Sequence, residues 1–135
     1  MRRIAVIGTL GALVTGCMTY AASEAQQQRS ARELQRELAG KVAGQPLRCL
    51  QTHRTRDMQA IDPNTILFRD GRTTYVARMN GSCSGLGSAG YTLITRSIGG
   101  SSLCSGDIAQ VADSASRMVV GGCAFGDFVP YRSPR

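Results

Sequence analysis

The first seventeen residues constrain this chain most, because they decide the compartment in which the rest of it folds. Arg2 and Arg3 precede an uncharged apolar run over residues 4–13, which ends at Val14-Thr15-Gly16-Cys17. A basic start followed by an apolar segment too short to span a bilayer is typical of a secretory signal peptide. We therefore predict that residues 1–16 are an export signal and that the remaining chain folds outside the cytoplasm.

The residues that end the apolar run, Val14 to Cys17, resemble the signal of bacterial lipoproteins, in which small residues precede a lipidated cysteine. This resemblance implies a diacylglyceryl thioether and an N-acyl chain on Cys17, and two or more acyl chains anchor a protein stably. Met18, rather than Asp, follows the cysteine, which implies an outer-membrane protein facing the periplasm. The alternative is an ordinary signal cut near Tyr20-Ala21-Ala22, which would release a soluble periplasmic protein.

The charge of the chain is basic and comes almost entirely from arginine. Fifteen of the sixteen basic residues are Arg, and without Arg2 and Arg3 fourteen basic residues face nine acidic ones, a net charge of +5. The arginines are scattered along the chain, which favours an ordinary solvated surface. The alternative is a partner that is anionic, such as an envelope glycolipid. A nucleic-acid partner is not expected, since aromatic residues make up only 5% of the chain.

Four cysteines remain after Cys17 is assigned to lipid, and an even number in an oxidising compartment predicts two disulfides. We predict one bond between Cys83 and Cys104, which lie in Gly/Ser-rich loops on either side of one strand. We predict the other between Cys49 and Cys123, because closing a small barrel brings its first and last strands together. The alternative is the sequential pairing, Cys49 with Cys83 and Cys104 with Cys123.

A tether and one helix are predicted ahead of the folded domain. Residues 17–29 are small and polar, as in a flexible tether. A capping-box pattern at Ser30-Ala31-Arg32-Glu33 predicts a helix over residues 30–44, with an apolar stripe at Leu34, Leu38 and Val42. Pro46 ends this helix.

Residues 45–135 have the pattern of a small β-domain with short strands between turns. Asp70-Gly71 between two strand-forming runs is the strongest hairpin signal, and we expect a two-residue type I′ turn there. Five to seven strands without an intervening helix predict an all-β fold that is stapled by the disulfides. It would be a small antiparallel curled sheet or barrel, with a compact sandwich as the alternative. The predicted strands cover residues 48–54, 65–69, 73–79, 91–96, 107–112, 117–120 and 125–131.

The contexts of three cysteines resemble a domain-of-unknown-function family of small proteobacterial envelope proteins, the one numbered 6491. They are Ser82-Cys83-Ser84-Gly85-Leu86, Leu103-Cys104-Ser105-Gly106-Asp107 and Gly122-Cys123-Ala124-Phe125-Gly126-Asp127-Phe128, together with Thr65-Ile66-Leu67-Phe68 and Tyr75. The resemblance covers roughly Pro46 to Pro130. It implies the domain boundary and paired cysteines, and it implies no activity.

Residues that could carry chemistry are few. Cys49 and His53 would share one face of a strand, but a cysteine in a disulfide is neither a nucleophile nor a zinc ligand. Asp107 and Asp127 each follow a glycine after a cysteine, so they would cluster at one end of the barrel. We therefore predict no catalytic residue, no metal and no cofactor, with His53, Asp107 and Asp127 as candidate ligand contacts.

These observations predict a non-catalytic, lipid-anchored periplasmic module of the bacterial envelope. Its partners would be the membrane, through the anchor on Cys17, and either an envelope protein or an anionic glycolipid. A binding domain for an anionic envelope ligand is the alternative, and an enzyme that uses His53 is a third interpretation.

Overall fold

The structure is a computed structural model that describes residues 15–97 and 100–134, with side chains from Ser23 onward except Ser82. One helix precedes a series of strands, with a short 3-10 helix between the second and third. The elements are α1 (Thr15–Leu38), β1 (Val42–Ala43), β2 (Cys49–Gln51), the 3-10 helix (Thr52–Thr55), β3 (Asp57–Asp62), β4 (Thr65–Asp70), β5 (Thr73–Ser82), β6 (Tyr91–Arg96), β7 (Ser102–Cys104), β8 (Ile108–Asp113) and β9 (Val119–Arg132).

The main sheet is antiparallel and curls into a half-barrel. Six strands run in the order β3-β4-β5-β9-β8-β6, and β1 pairs with β9 beside them. The longest strand, β9, pairs with β5 along one side and with β8 and then β1 along the other. The prediction of a small curled antiparallel sheet preceded by one helix is therefore confirmed.

The core fills the concave face of the half-barrel. Phe68, Phe125 and Phe128 are at most 1% exposed, and their ring centroids lie 5.9–6.2 Å apart. A second, two-stranded sheet of β2 and β7 contributes Leu50 and Leu103 to the same cluster. This small sheet thus covers part of the core that the half-barrel leaves open.

The convex face of β3 and β4 is covered by α1. Leu34 and Leu38 pack on Ile61, Leu67 and Val76, the outward-facing apolar residues of three adjacent strands. Strand β4 is therefore buried on both faces, which explains why its apolar residues form a continuous run instead of alternating with polar ones. Of the three residues of the predicted stripe, Leu34 and Leu38 pack on the sheet, whereas Val42 lies in β1 and is 61% exposed.

The bounds of the helix differ from the prediction at both ends. The helix starts at Thr15, so residues 17–29, which we expected to be a flexible tether, are helical. Alanine and glutamine make up six of these thirteen residues, and both favour helices. The helix ends at Leu38 rather than at residue 44, because Gly40 adopts a left-handed φ of 70° and turns the chain.

A polar network also fastens α1 to the sheet. The guanidinium of Arg69 on β4 binds both carboxylate oxygens of Glu37, at 3.0 and 2.9 Å, and lies 3.3 Å from Asp57. The amide of Gln59 on β3 donates to Glu33. The hydrogen bond from Arg69 lowers the pKa of Glu37 below its ordinary value. These contacts fix how the helix lies across the strands.

The predicted cysteine pairing is wrong, although the number of disulfides is right. The bonds join Cys49 with Cys104 and Cys83 with Cys123, with Cα atoms 4.0 and 5.3 Å apart. Cys49 lies opposite Cys104 because β2 pairs with β7, a strand that falls in a predicted loop. Cys83 reaches Cys123 because the β5–β9 ladder aligns Gly81 with Cys123.

Three further strand predictions need correction. The predicted strands over residues 117–120 and 125–131 are one continuous strand, β9. The predicted strand over residues 48–54 becomes β2 followed by the 3-10 helix. Strand β3 (Asp57–Asp62) was not predicted, because its apolar and polar residues alternate only weakly. Ile61 is its only residue that is less than one tenth exposed. It forms by pairing with β4 from Asp57–Arg69 to Asp62–Thr65.

The hairpin at Asp70-Gly71 is confirmed, but its turn type differs from the expected one. Asp70 pairs with Thr73 across Gly71 and Arg72. Gly71 has a φ of 57°, and Arg72 is not among the residues with positive φ. Positive φ at the first central residue alone is the pattern of a type II′ turn.

We expect Gly71→Val to lower the free energy of unfolding by about 1–3 kcal/mol, because a β-branched residue resists the left-handed region. A Cβ at this position would meet nothing within 4 Å, so the cost would come from the backbone alone. Urea unfolding measures it, and Gly71→Asn, which tolerates positive φ, is the control. Equal stability of the valine variant and the parent would contradict the turn geometry.

Candidate functional site

The most distinctive polar surface lies where β4, β5 and β9 meet at one end of the half-barrel. The strand registers align Asp70 with Thr73 and Thr73 with Arg132. Since residues alternate faces along a strand, Thr73 and Arg132 share the concave face with Tyr75 and its partner Pro130. We call Arg54, Asp70, Arg72, Thr73 and Arg132 the rim cluster.

Arg54 is the paired arginine of the rim cluster. It comes from the 3-10 helix, donates from Nη1 to the Tyr75 hydroxyl at 3.0 Å, and lies with its Cζ 6.0 Å from the ring centroid. Its Nε is 3.4 Å from Asp70 Oδ2, an ion-pair distance, although the buried Nε forms no aligned hydrogen bond among the described residues. Arg54 therefore neutralises the one carboxylate of the cluster and covers the edge of the core.

Arg72 and Arg132 are the unpaired arginines of the rim cluster. Both are exposed, and neither forms an ion pair or a side-chain hydrogen bond with any residue in the described part of the chain. Together with Thr73, Ser133 and Pro134 they line an open cavity of about 380 Å³. The lining contains two positive charges and two hydroxyl groups and no carboxylate, so this cavity favours an anion.

Another positively charged side chain, that of Lys41, contacts the opposite face of β5 near this cavity. Lys41 Nζ donates to the Thr74 hydroxyl at 2.7 Å, directly after the helix ends. Thr74 is 2% exposed, so Lys41 satisfies a buried hydroxyl rather than a carboxylate. Its positive charge adds to the electrostatic potential of this end of the sheet.

The three candidate residues taken from the sequence do not form a site. His53 is exposed in the 3-10 helix, and Asp127 is exposed on β9. Asp107 is only 6% exposed, and its carboxylate accepts a hydrogen bond of 2.8 Å from the Cys104 backbone N–H. Asp107 thus holds the turn after β7, and no contact among the described residues joins it to His53 or Asp127.

Cys49 and His53 do not share a strand face, since the chain enters the 3-10 helix at Thr52. Cys49 is bonded to Cys104, and all four cysteines after Cys17 are in disulfides. Among the residues that the structure describes, no group of three or more His, Cys, Asp or Glu side chains could hold a metal ion.

Sequence reasoning missed the rim cluster. Its members come from three separated segments of the chain, around residues 54, 70–73 and 132. The only local signal is the turn Arg69-Asp70-Gly71-Arg72, which has two arginines beside a predicted hairpin. The arginines are scattered in the sequence, as on an ordinary solvated surface, and the strand register brings two of them to one cavity.

Other cavities are less suited to a ligand. One cavity, of about 730 Å³, is lined by residues of α1 and the residue after it and is an open helix face rather than an enclosure. A groove of about 580 Å³ lies between α1 and the turn Asp62-Pro63-Asn64, with small and amide side chains along it. The first also has an excess of positive charge, from three arginines against Glu33, but these arginines lie along one exposed helix face. The second includes the carboxylate of Asp62.

Comparisons with known proteins give no further indication of function. A scan against protein-family models found no match, and searches of curated proteins and of solved structures found none either. The resemblance to the domain-of-unknown-function family therefore stays a prediction. Within the described parts of the chain, no helix has the length and apolar character needed to cross a membrane.

Proposed function

We propose that this chain is a lipid-anchored, non-catalytic module of the bacterial envelope, attached through Cys17 to the outer membrane and facing the periplasm. The basic start, the apolar run and the small residues before Cys17 support the anchor. The two disulfides support an oxidising compartment, because such bonds persist there and are rare in the cytosol.

The observation that carries the proposal is the unbroken path from Cys17 to the sheet. Helix α1 runs from Thr15 to Leu38, and Ser30 Oγ donates to the Ile61 carbonyl at 2.9 Å. Thirteen residues separate Cys17 from Ser30, which is about 20 Å along a helix axis. A lipidated Cys17 would therefore carry the half-barrel on a helical arm that is fixed to the sheet at its far end.

A binding role fits the surface better than an enzymatic one. The disulfides leave no thiol among the four cysteines of the domain, and Asp107 holds a backbone turn. An interpretation as an enzyme would need a base near His53, and no described contact gives that side chain a partner. The partner would be an envelope protein or an anionic glycolipid.

The anchor is tested with Cys17→Ala in the bacterial host. We expect the parent to fractionate with membranes and to carry the mass of three acyl chains, and the variant to lose both properties. Two or more acyl chains bind a membrane stably, at about 0.8 kcal/mol per buried methylene. The variant without acyl chains has no such anchor. Intact-mass spectrometry and membrane fractionation measure the two properties separately.

Met18→Asp is the matched control, since it leaves Cys17 in place. The variant should keep its acyl chains and change only its distribution between inner and outer membranes on a density gradient. An unlipidated parent cleaved near Tyr20 would contradict the anchor and support the soluble periplasmic alternative.

A further inference from the structure

We infer that Arg72 and Arg132 form a binding site for a phosphate group at the rim of the half-barrel. The site is independent of the anchor on Cys17, because it lies on the hairpin turn after β4 and at the end of β9. The site would place part of the net positive charge of the chain at one cavity, where its ligand would be a phosphate group.

The geometry of the backbone holds the two arginines close together. Thr73 and Arg132 are opposite each other in the β5–β9 ladder, where paired Cα atoms lie about 4.5–5.5 Å apart. Arg72 directly precedes Thr73 in the two-residue turn. The Val42–Arg132 pair on the other side of β9 holds that strand between two neighbours. Arg132 therefore projects from a paired part of the sheet, and Arg72 from the tight turn beside it.

The positive charge around the cavity favours binding of an anion from outside the protein, because the nearby carboxylates are paired with other arginines. The nearest carboxylate in the register is Asp70, and Arg54 already lies 3.4 Å from it. Glu37 and Asp57 are engaged by Arg69 on the convex face. These three carboxylates are therefore engaged by other arginines, and no described ion pair reaches Arg72 or Arg132.

A phosphate group matches this set of donors better than a carboxylate does. A phosphate monoester carries a charge of about −1.5 to −2 and three strong acceptor oxygens. Two guanidinium groups and the hydroxyls of Thr73 and Ser133 supply both the charge and the donors. A single carboxylate would be satisfied by one guanidinium. The open cavity of about 380 Å³ leaves room for the group to which the phosphate is attached.

The phosphate could be free in solution or belong to a lipid headgroup, and one experiment separates the two sources. We use the full chain with Cys17→Ala, so that acyl chains do not drive binding to vesicles. Calorimetric titration with inorganic phosphate at constant ionic strength measures the soluble source. Co-sedimentation with phosphatidylcholine vesicles, with and without phosphatidic acid, measures the lipid source.

Saturable binding to at least one of the two probes is expected, and the probe bound identifies the source. Arg72→Gln with Arg132→Gln should raise the Kd by at least about tenfold, because two charge-assisted contacts are lost. Both side chains are exposed, so the variant should keep the thermal unfolding midpoint of the parent. Thr73→Ala, which keeps both charges, should weaken binding by a smaller factor.

The matched control is Arg29→Gln with Arg32→Gln, which removes the same charge from exposed positions on α1. It should leave the Kd within about twofold, since neither side chain lines the cavity and salt screens the interaction of separated surface charges. The inference would be overturned by equal losses in the two double variants, which would indicate a non-specific basic surface. Saturable binding to neither probe would overturn it as well.

Discussion

Cys83→Ala with Cys123→Ala should lower the free energy of unfolding by about 4 kcal/mol. The bond closes a loop with a sequence separation of 40, and a loop of that length gives about this value in the chain-entropy model. Both sulfurs lie in the core, since Cys83 is fully buried and Cys123 is 6% exposed. A small domain is stable by about 5–15 kcal/mol in total, so this single bond decides whether a large fraction remains folded.

Urea unfolding of the oxidised parent and of the double variant measures the difference. Cys49→Ala with Cys104→Ala is the comparison, because its loop, with a separation of 55, also predicts about 4 kcal/mol. That bond cross-links the two strands of the small sheet, β2 and β7, and a two-stranded sheet is only marginally stable by itself. A loss below about 1 kcal/mol for the Cys83 and Cys123 variant would show that the β5–β9 ladder holds without its cross-link.

Phe128→Ala should lower the free energy of unfolding by about 3–5 kcal/mol, the range for deleting a buried aromatic ring. Phe128 is fully buried, and its ring lies 5.9 Å from Phe68 and 6.0 Å from Phe125. Its backbone is fixed as well, because it exchanges two hydrogen bonds of 2.8 Å with Leu47. The surrounding sheet therefore has little freedom to collapse into the cavity.

The measurement is again urea unfolding, with two controls of different kinds. Phe128→Leu keeps most of the buried volume and should cost clearly less than the alanine variant. Met118→Ala removes a side chain that is 67% exposed and should change stability by less than about 0.5 kcal/mol. If Phe128→Ala costs no more than Met118→Ala, the three-phenylalanine core is not the centre of the domain.

The fold class was predictable because its signals are local. Runs of strand-forming residues, the Asp70-Gly71 turn and the stripe of Leu34 and Leu38 each act within about ten residues. Strand β3 was missed because its residue pattern does not show which of its side chains the helix and the adjacent strand cover in the folded protein. Its edge position and its packing against α1 let Gln59 and Asp57 occupy a strand through polar contacts.

The cysteine pairing and the rim cluster were not predictable for a different reason. The rim cluster and the Cys83–Cys123 bond depend on the register of β9, a strand of fourteen residues that pairs with β5, β8 and β1. The Cys49–Cys104 bond depends on the pairing of β2 with β7. A register is set by the whole sheet, and a shift by one residue would move Arg132 to the other face. It would move Cys123 in the same way. The sequence shows which residues are present, and the ladder decides which of them meet.

The pairing of β1 with β9 has a mechanical consequence for a protein held at one end. If α1 is anchored through Cys17, tension along it meets first the contacts of Ser30, Glu33 and Glu37 with the sheet. Beyond them it meets the pairs Val42–Arg132 and Ala43–Tyr131. Once these contacts and the hydrogen bonds of Gly44 and Leu47 to β9 separate, the chain can extend only as far as Cys49, where the bond to Cys104 takes the load. The slack from Leu38 to Cys49 is eleven residues, at most about 40 Å of extended chain. The half-barrel would thus yield by a short, fixed distance and then resist through a covalent bond.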